Sequence, residues 1–207
     1  MGEKMKTYIK QAIIPFIYLL FMAIIALAIT SIEDKLLWLK IALGILNLAL
    51  YFTVVCGACY KEGQQALKIR VANDLEREQI IITGEDRPLK LHEEYKWWKG
   101  FFIGGLACAP MLVLLIIHTV LILINPALNG CGVASAFIYM AFFMFFMLGG
   151  SGSAENVTPM SPASFYGCLI ALPILMVACG VAYYLGAKKI QLQQEAIKAK
   201  HREIYGE

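Results

Sequence analysis

Charge is what this sequence has little of. Asp, Glu, Lys and Arg make up 16% of its 207 residues, and the stretches 11–32, 41–60, 100–124, 133–148 and 163–187 contain none of them. A soluble domain averages about 25% charged residues, so an ordinary water-facing surface is excluded over much of the chain. Catalytic signatures are also missing. There is no glycine-rich loop followed by Lys-Ser or Lys-Thr, no serine nucleophile elbow and no His-Glu-x-x-His pair. No carboxylate lies in the middle of an apolar stretch, which excludes the usual intramembrane protease and cation-coupled pump constellations. The three histidines, His92, His118 and His201, lie far apart in the chain. These absences predict a protein that is not an enzyme and holds no metal and no cofactor. A net charge of +3 gives no reason to expect a nucleic-acid partner.

What is present is apolar: 59% hydrophobic residues and a mean hydropathy of +0.67. Crossing about 30 Å of hydrocarbon takes roughly 20 helical residues. Four of the uncharged stretches reach that length, and 133–148, with 16 residues, does not. The first stretch follows Lys4, Lys6 and Lys10 and could pass for a secretory signal, but its apolar run is longer than a usual signal core. A retained helix is expected there.

The positions of Lys and Arg set the expected topology, because such residues near spans stay preferentially in the cytoplasm. Three lie in 1–10, two (Lys35 and Lys40) between the first two spans, eight in 61–99, none in 125–162 and five in 188–207. If all five stretches cross, 11 positive residues fall inside and 7 outside; if 133–148 does not cross fully, 16 fall inside and 2 outside. The expected fold is therefore all-α, a polytopic membrane helical bundle with four full transmembrane helices. The 133–148 segment is then a re-entrant or interfacial element. The chain reads as one membrane domain, 1–207, with both termini cytoplasmic and the cell membrane as its location. Its other parts are a cytoplasmic loop at 61–99, an outer segment at 125–162 and a cytoplasmic helix or tail at 188–207.

Local chemistry adds detail. Trp38 and Lys40 suit the outer interface, and Tyr95-Lys96-Trp97-Trp98-Lys99 places Trp97 and Trp98 as anchors at the inner one. Ala66, Leu67, Ile69, Val71 and Leu75, mixed with charges at spacings of three and four, predict that span 2 continues as a helix over 62–79. The run Gln79–Thr83, then Gly84–Pro88, then 89–92 reads as a small β-hairpin or an extended loop. Cys56-Gly57-Ala58-Cys59 has redox-pair spacing, but without a second pair it reads as packing.

The functional candidates lie within the spans and in the outer segment. Asn47, near the middle of span 2, is either glue between helices or part of a polar path. His118, beside Thr119, is the one readily ionisable side chain deep in a span, which makes it a functional candidate. Pro110 and Pro173 are expected to kink spans 3 and 4. Gly149, Gly150 and Gly152 follow the Phe/Met-rich run and allow a turn or a close approach. Asn156-Val157-Thr158 matches a glycosylation acceptor. Two functions fit. One is a transport-class protein, a channel or transporter or a subunit of one, acting as an oligomer. The other is an accessory or scaffold subunit with a membrane partner.

Overall fold

The computed structural model describes residues 2–30, 32, 34–84, 95–124 and 162–205, and every described element is helical. Helix α1 spans Gly2–Thr30, and a short 3-10 turn at Asp34–Leu36 leads into α2, Leu37–Thr83. Helix α3 spans Lys99–Ile124 and α4 spans Pro162–Tyr205. Two helices are long and apolar enough to cross a membrane among the described residues: α2, and α4 over Pro173–Ile204. The apolar part of α1 is shorter, Thr7–Met22. The 133–148 segment and Gly149, Gly150 and Gly152 lie outside the described residues.

Helix α2 continues well past its uncharged run. Its buried residues include Lys40, Gly44, Asn47, Tyr51, Val55, Cys59, Gly63, Ala66 and Asn73. Lys40 and Tyr51, and likewise Gly44, Val55 and Ala66, are eleven residues apart. Eleven residues fill three turns at about 3.67 per turn, close to the 3.6 of a straight helix. One side of α2 therefore stays inward over nearly its whole length.

The run 79–83 is a correction to the sequence reading, because it is the last part of α2 and not a strand. Gly84 takes the left-handed conformation (φ 68°) and its N–H donates to the Ile80 carbonyl at 2.9 Å, a glycine C-cap. The Thr83 hydroxyl donates back to the Gln79 carbonyl at 2.9 Å. Adding one more residue to an existing helix needs no new nucleus, and this outweighs the weak strand preference of three isoleucines. Ile81 and Ile82 stay about four-fifths exposed, at 80% and 82%.

The helices pack as a ring in which α2 meets α4, α4 meets α3, α3 meets α1 and α1 meets α2. Contacts between α2 and α4 advance together: Cys56 with Ala178, Cys59 with Cys179, Gly63 with Tyr183. That pair is parallel. Gln11 reaches Glu62 while Met22 meets Asn47, so α1 and α2 are antiparallel. Gly100 faces Tyr183 and Gly180 whereas Gly104 faces Cys179 and Leu175, so α3 and α4 are antiparallel too. The end of α3 and the start of α4 therefore share one end of the bundle. The core joins Tyr51, Val55, Ile103, Cys108, Leu175, Cys179 and Tyr183.

Glycine makes the α2–α4 contact possible. A Cβ at Gly63 would land on the Tyr183 carbonyl, and one at Gly186 on the Tyr60 carbonyl. The two contacts are reciprocal, backbone against backbone. Gly57, six residues earlier on α2, meets nothing within 4 Å of such a Cβ. Replacing Gly63 or Gly186 with Ala should destabilise the detergent-purified protein by about 1–3 kcal/mol, the usual range for overpacking. Gly57→Ala should leave stability unchanged or raise it by up to ~1 kcal/mol through helix propensity. Thermal melting of the three variants checks this contrast.

Candidate functional site

Three groups of side chains carry the available chemistry. The first is a polar stripe on the inward side of α2. Lys40 is 2% exposed, Asn47 7% and Tyr51 2%. Their spacings of seven and four residues place them on one face of the helix. Lys40, expected at the outer interface, is buried because it falls on the same stripe as Gly44 and Asn47. Asn47 Nδ2 donates to the Met22 carbonyl of α1 at 3.1 Å. Asn47 Oδ1 and the Tyr51 hydroxyl have no hydrogen-bond partner among the described residues. Buried polar atoms are nearly always satisfied, so two such atoms one turn apart mark an unusual place.

The second group is sulfur. Cys56, Cys59, Cys108 and Cys179 lie around Tyr51, and all four are free thiols. The thiols of Cys59 and Cys179 face each other across the α2–α4 contact. Cys56 Sγ approaches the Ala178 carbonyl at 3.9 Å. No group of His, Cys, Asp and Glu among the described residues is arranged to hold a metal. The Cys-x-x-Cys spacing of 56 and 59 puts both thiols on the side of α2 that meets α4, where they act as small packing groups.

The third is a half-open cleft of about 490 Å³ between α1 and α2, closed at the back by Ile103 of α3. Ile14, Pro15 and Tyr18 form one wall and Thr53, Val54, Gly57, Ala58 and Cys59 the other; Gln11, Lys61, Glu62 and Gln65 rim one end. Gln11 Nε2 donates to Glu62 Oε2 at 2.8 Å across the rim.

The aromatic run before α3 divides by environment. Trp97 is 69% exposed and Trp98 37%. Lys99 turns inward, with Nζ 5.5 Å from the centre of the Tyr8 ring, while Lys96 Nζ sits 5.6 Å from the Trp98 ring. The Tyr95 ring stacks on Tyr183 at 5.4 Å and 7°. Partial burial there pushes the Tyr95 hydroxyl pKa up, opposed by Arg70. At the other end of α2, Trp38 is 68% exposed.

The remaining sequence candidates are scattered. His118 and Thr119 lie in the second half of α3, and their side chains are outside the described residues. Pro110 and Pro173 lie inside α3 and α4, which continue through them, and both are exposed. The polar stripe and the cleft were missed from sequence. Lys40, Asn47 and Tyr51 at helical spacing were the signal for the first; the cleft had none, since it depends on how α1 leans on α2.

The α2–α4 thiol contact is directly testable. In a variant keeping only Cys59 and Cys179, mild oxidation should join them in one intramolecular disulfide, found by mass spectrometry of a linked peptide pair. A variant keeping only Cys56 and Cys108 serves as the control and should stay reduced. Compared with known protein families, curated proteins and solved structures, the chain matches none.

Proposed function

We propose that this chain is a small multi-pass membrane protein of the transport class, a channel or transporter or a subunit of one, acting as an oligomer. The observation that carries the reading is the inward stripe of Lys40, Asn47 and Tyr51 in the apolar part of α2, with Asn47 Oδ1 and the Tyr51 hydroxyl left open one turn apart among the described residues. In a membrane such groups are expensive and mark solute or ion pathways. A four-span topology fits this reading. Each of the four helices carries one long uncharged stretch, and residues 100–124 of α3 contain no charge at all. The antiparallel α3 and α4 put Ile124 and Pro162 at one end of the bundle, which suits an outer element that does not cross fully. The N-terminus, the 61–99 region and the C-terminal tail then share the cytoplasmic side of the cell membrane.

A second reading, an accessory or scaffold subunit, is favoured by one observation. Helix α2 has 47 residues and is about 70 Å long, more than twice the hydrocarbon thickness. Its far end and that of α4 project together and expose Ile81, Ile82, Ile197 and Ile204. Such a stalk suits a second membrane subunit or a further copy of the chain.

Flux assays on reconstituted vesicles separate the readings. Proton and potassium leak, followed with a pH-sensitive dye and a potassium-selective electrode, should exceed that of empty vesicles. Asn47→Ala, Tyr51→Phe and His118→Ala should each lower it several-fold with melting intact. Unchanged flux in all three counts heavily against transport. A stoichiometric partner held through mild detergent, with no flux, supports the scaffold; a monodisperse monomer with flux sinks it.

A further inference from the structure

The cleft between α1 and α2 has the dimensions and the polarity of a lipid site. Its α2 wall runs from Thr53 to Gln65. Twelve residues at about 1.5 Å each give about 18 Å, close to one leaflet of hydrocarbon with the base of its headgroup. The volume, about 490 Å³, lies within the common range of small-molecule pockets, roughly 300–1,000 Å³. Gly57 keeps the middle open, because no atom lies within 4 Å of a Cβ placed there.

The two ends differ in chemistry. The end toward the bundle centre is lined by Tyr18 and Val54, whereas the cytoplasmic end has Gln11, Lys61 and Glu62. Gln11 fixes the Glu62 carboxylate at the rim through its 2.8 Å bond. Lys61, the next residue, is exposed. One positive and one negative side chain at the mouth complement a headgroup that carries both charges.

We propose that this cleft seats one inner-leaflet aminophospholipid of the phosphatidylethanolamine type. Its primary ammonium donates to Glu62, its phosphate pairs with Lys61, and one acyl chain lies along Ile14, Tyr18, Val54 and Gly57. A primary ammonium offers three N–H donors, whereas choline offers none. An anionic headgroup brings like charge to Glu62. The proposal rests on the reading of α1 and α2 as membrane spans and not on transport.

Native mass spectrometry of the full chain in detergent, titrated with phosphatidylethanolamine or phosphatidylcholine of identical acyl chains, tests it. The wild type should retain one phosphatidylethanolamine per chain in about tenfold preference, the size of one charge-assisted hydrogen bond. Glu62→Gln, which can still accept from Gln11, should lose the preference but not all binding. Gly57→Leu should lose both lipids, while Gly57→Ala, with room to spare, should keep the preference. Equal retention of the two lipids by the wild type overturns the proposal. So does a preference for phosphatidylglycerol, a Gly57→Leu variant that binds as the wild type does, or equal binding of free phosphoethanolamine. Recovery of the chain from cells in the soluble fraction sinks the spanning reading; recovery in membranes with equal lipid retention sinks the lipid site alone.

Discussion

The bundle depends on one close approach, where α2 and α4 touch backbone to backbone at Gly63 and Gly186. Each glycine faces the carbonyl of a tyrosine on the other helix, Tyr183 and Tyr60. Without side chains at these two points the helices come close enough for dispersion to act along a long shared seam, the logic of small-residue contacts between apolar helices. The neighbouring elements then fall into place. Tyr183, held at the crossing, stacks on Tyr95 and faces Gly100 at the start of α3. Cys179, one turn earlier, meets Cys59 on one side and Gly104 on the other. The seam therefore fixes where α3 sits, and α3 with α2 fixes α1.

That arrangement gives α2 two different faces. The side toward α4 is apolar and small where the helices cross. The side toward α1 opens into the cleft at Gly57 and closes again where Gln11 meets Glu62. Both glycines lie on one helix only six residues apart, and they have opposite consequences. Gly63 is filled by a neighbouring backbone, and Gly57 is left open. The difference comes from the direction each faces, since six residues is 240° of turn and not a whole number of turns.

Much of the helical architecture was legible from hydropathy. Four long uncharged stretches fall on four helices. The run 79–83 was misread because three consecutive isoleucines resemble a strand, and Gly84 resembles a hairpin turn as much as a helix cap. The candidate site was only partly legible. Asn47 stood out as a polar residue in an apolar helix. Lys40 was assigned to the interface by its position in the chain, although its spacing from Asn47 puts it on the inward stripe. The reciprocal glycines could not be recognised because small-xxx-small spacing appears within one helix, whereas Gly63 and Gly186 pair across 123 residues of chain. Glu62 gave no sign of a partner on α1.

The central claim is that α2 and α4 run parallel and cross at Gly63 and Tyr183. Glu78 and Lys198 each lie fifteen residues beyond that crossing, and both are exposed. Spin labels on Glu78→Cys and Lys198→Cys, in a chain whose native cysteines are replaced, give the most direct measurement. Parallel helices predict a short distance by pulsed electron paramagnetic resonance, set by an interaxial spacing of about 8–10 Å and the label linkers. An antiparallel pair crossing at the same point would place the labels about 45 Å apart, and that distance would contradict the account.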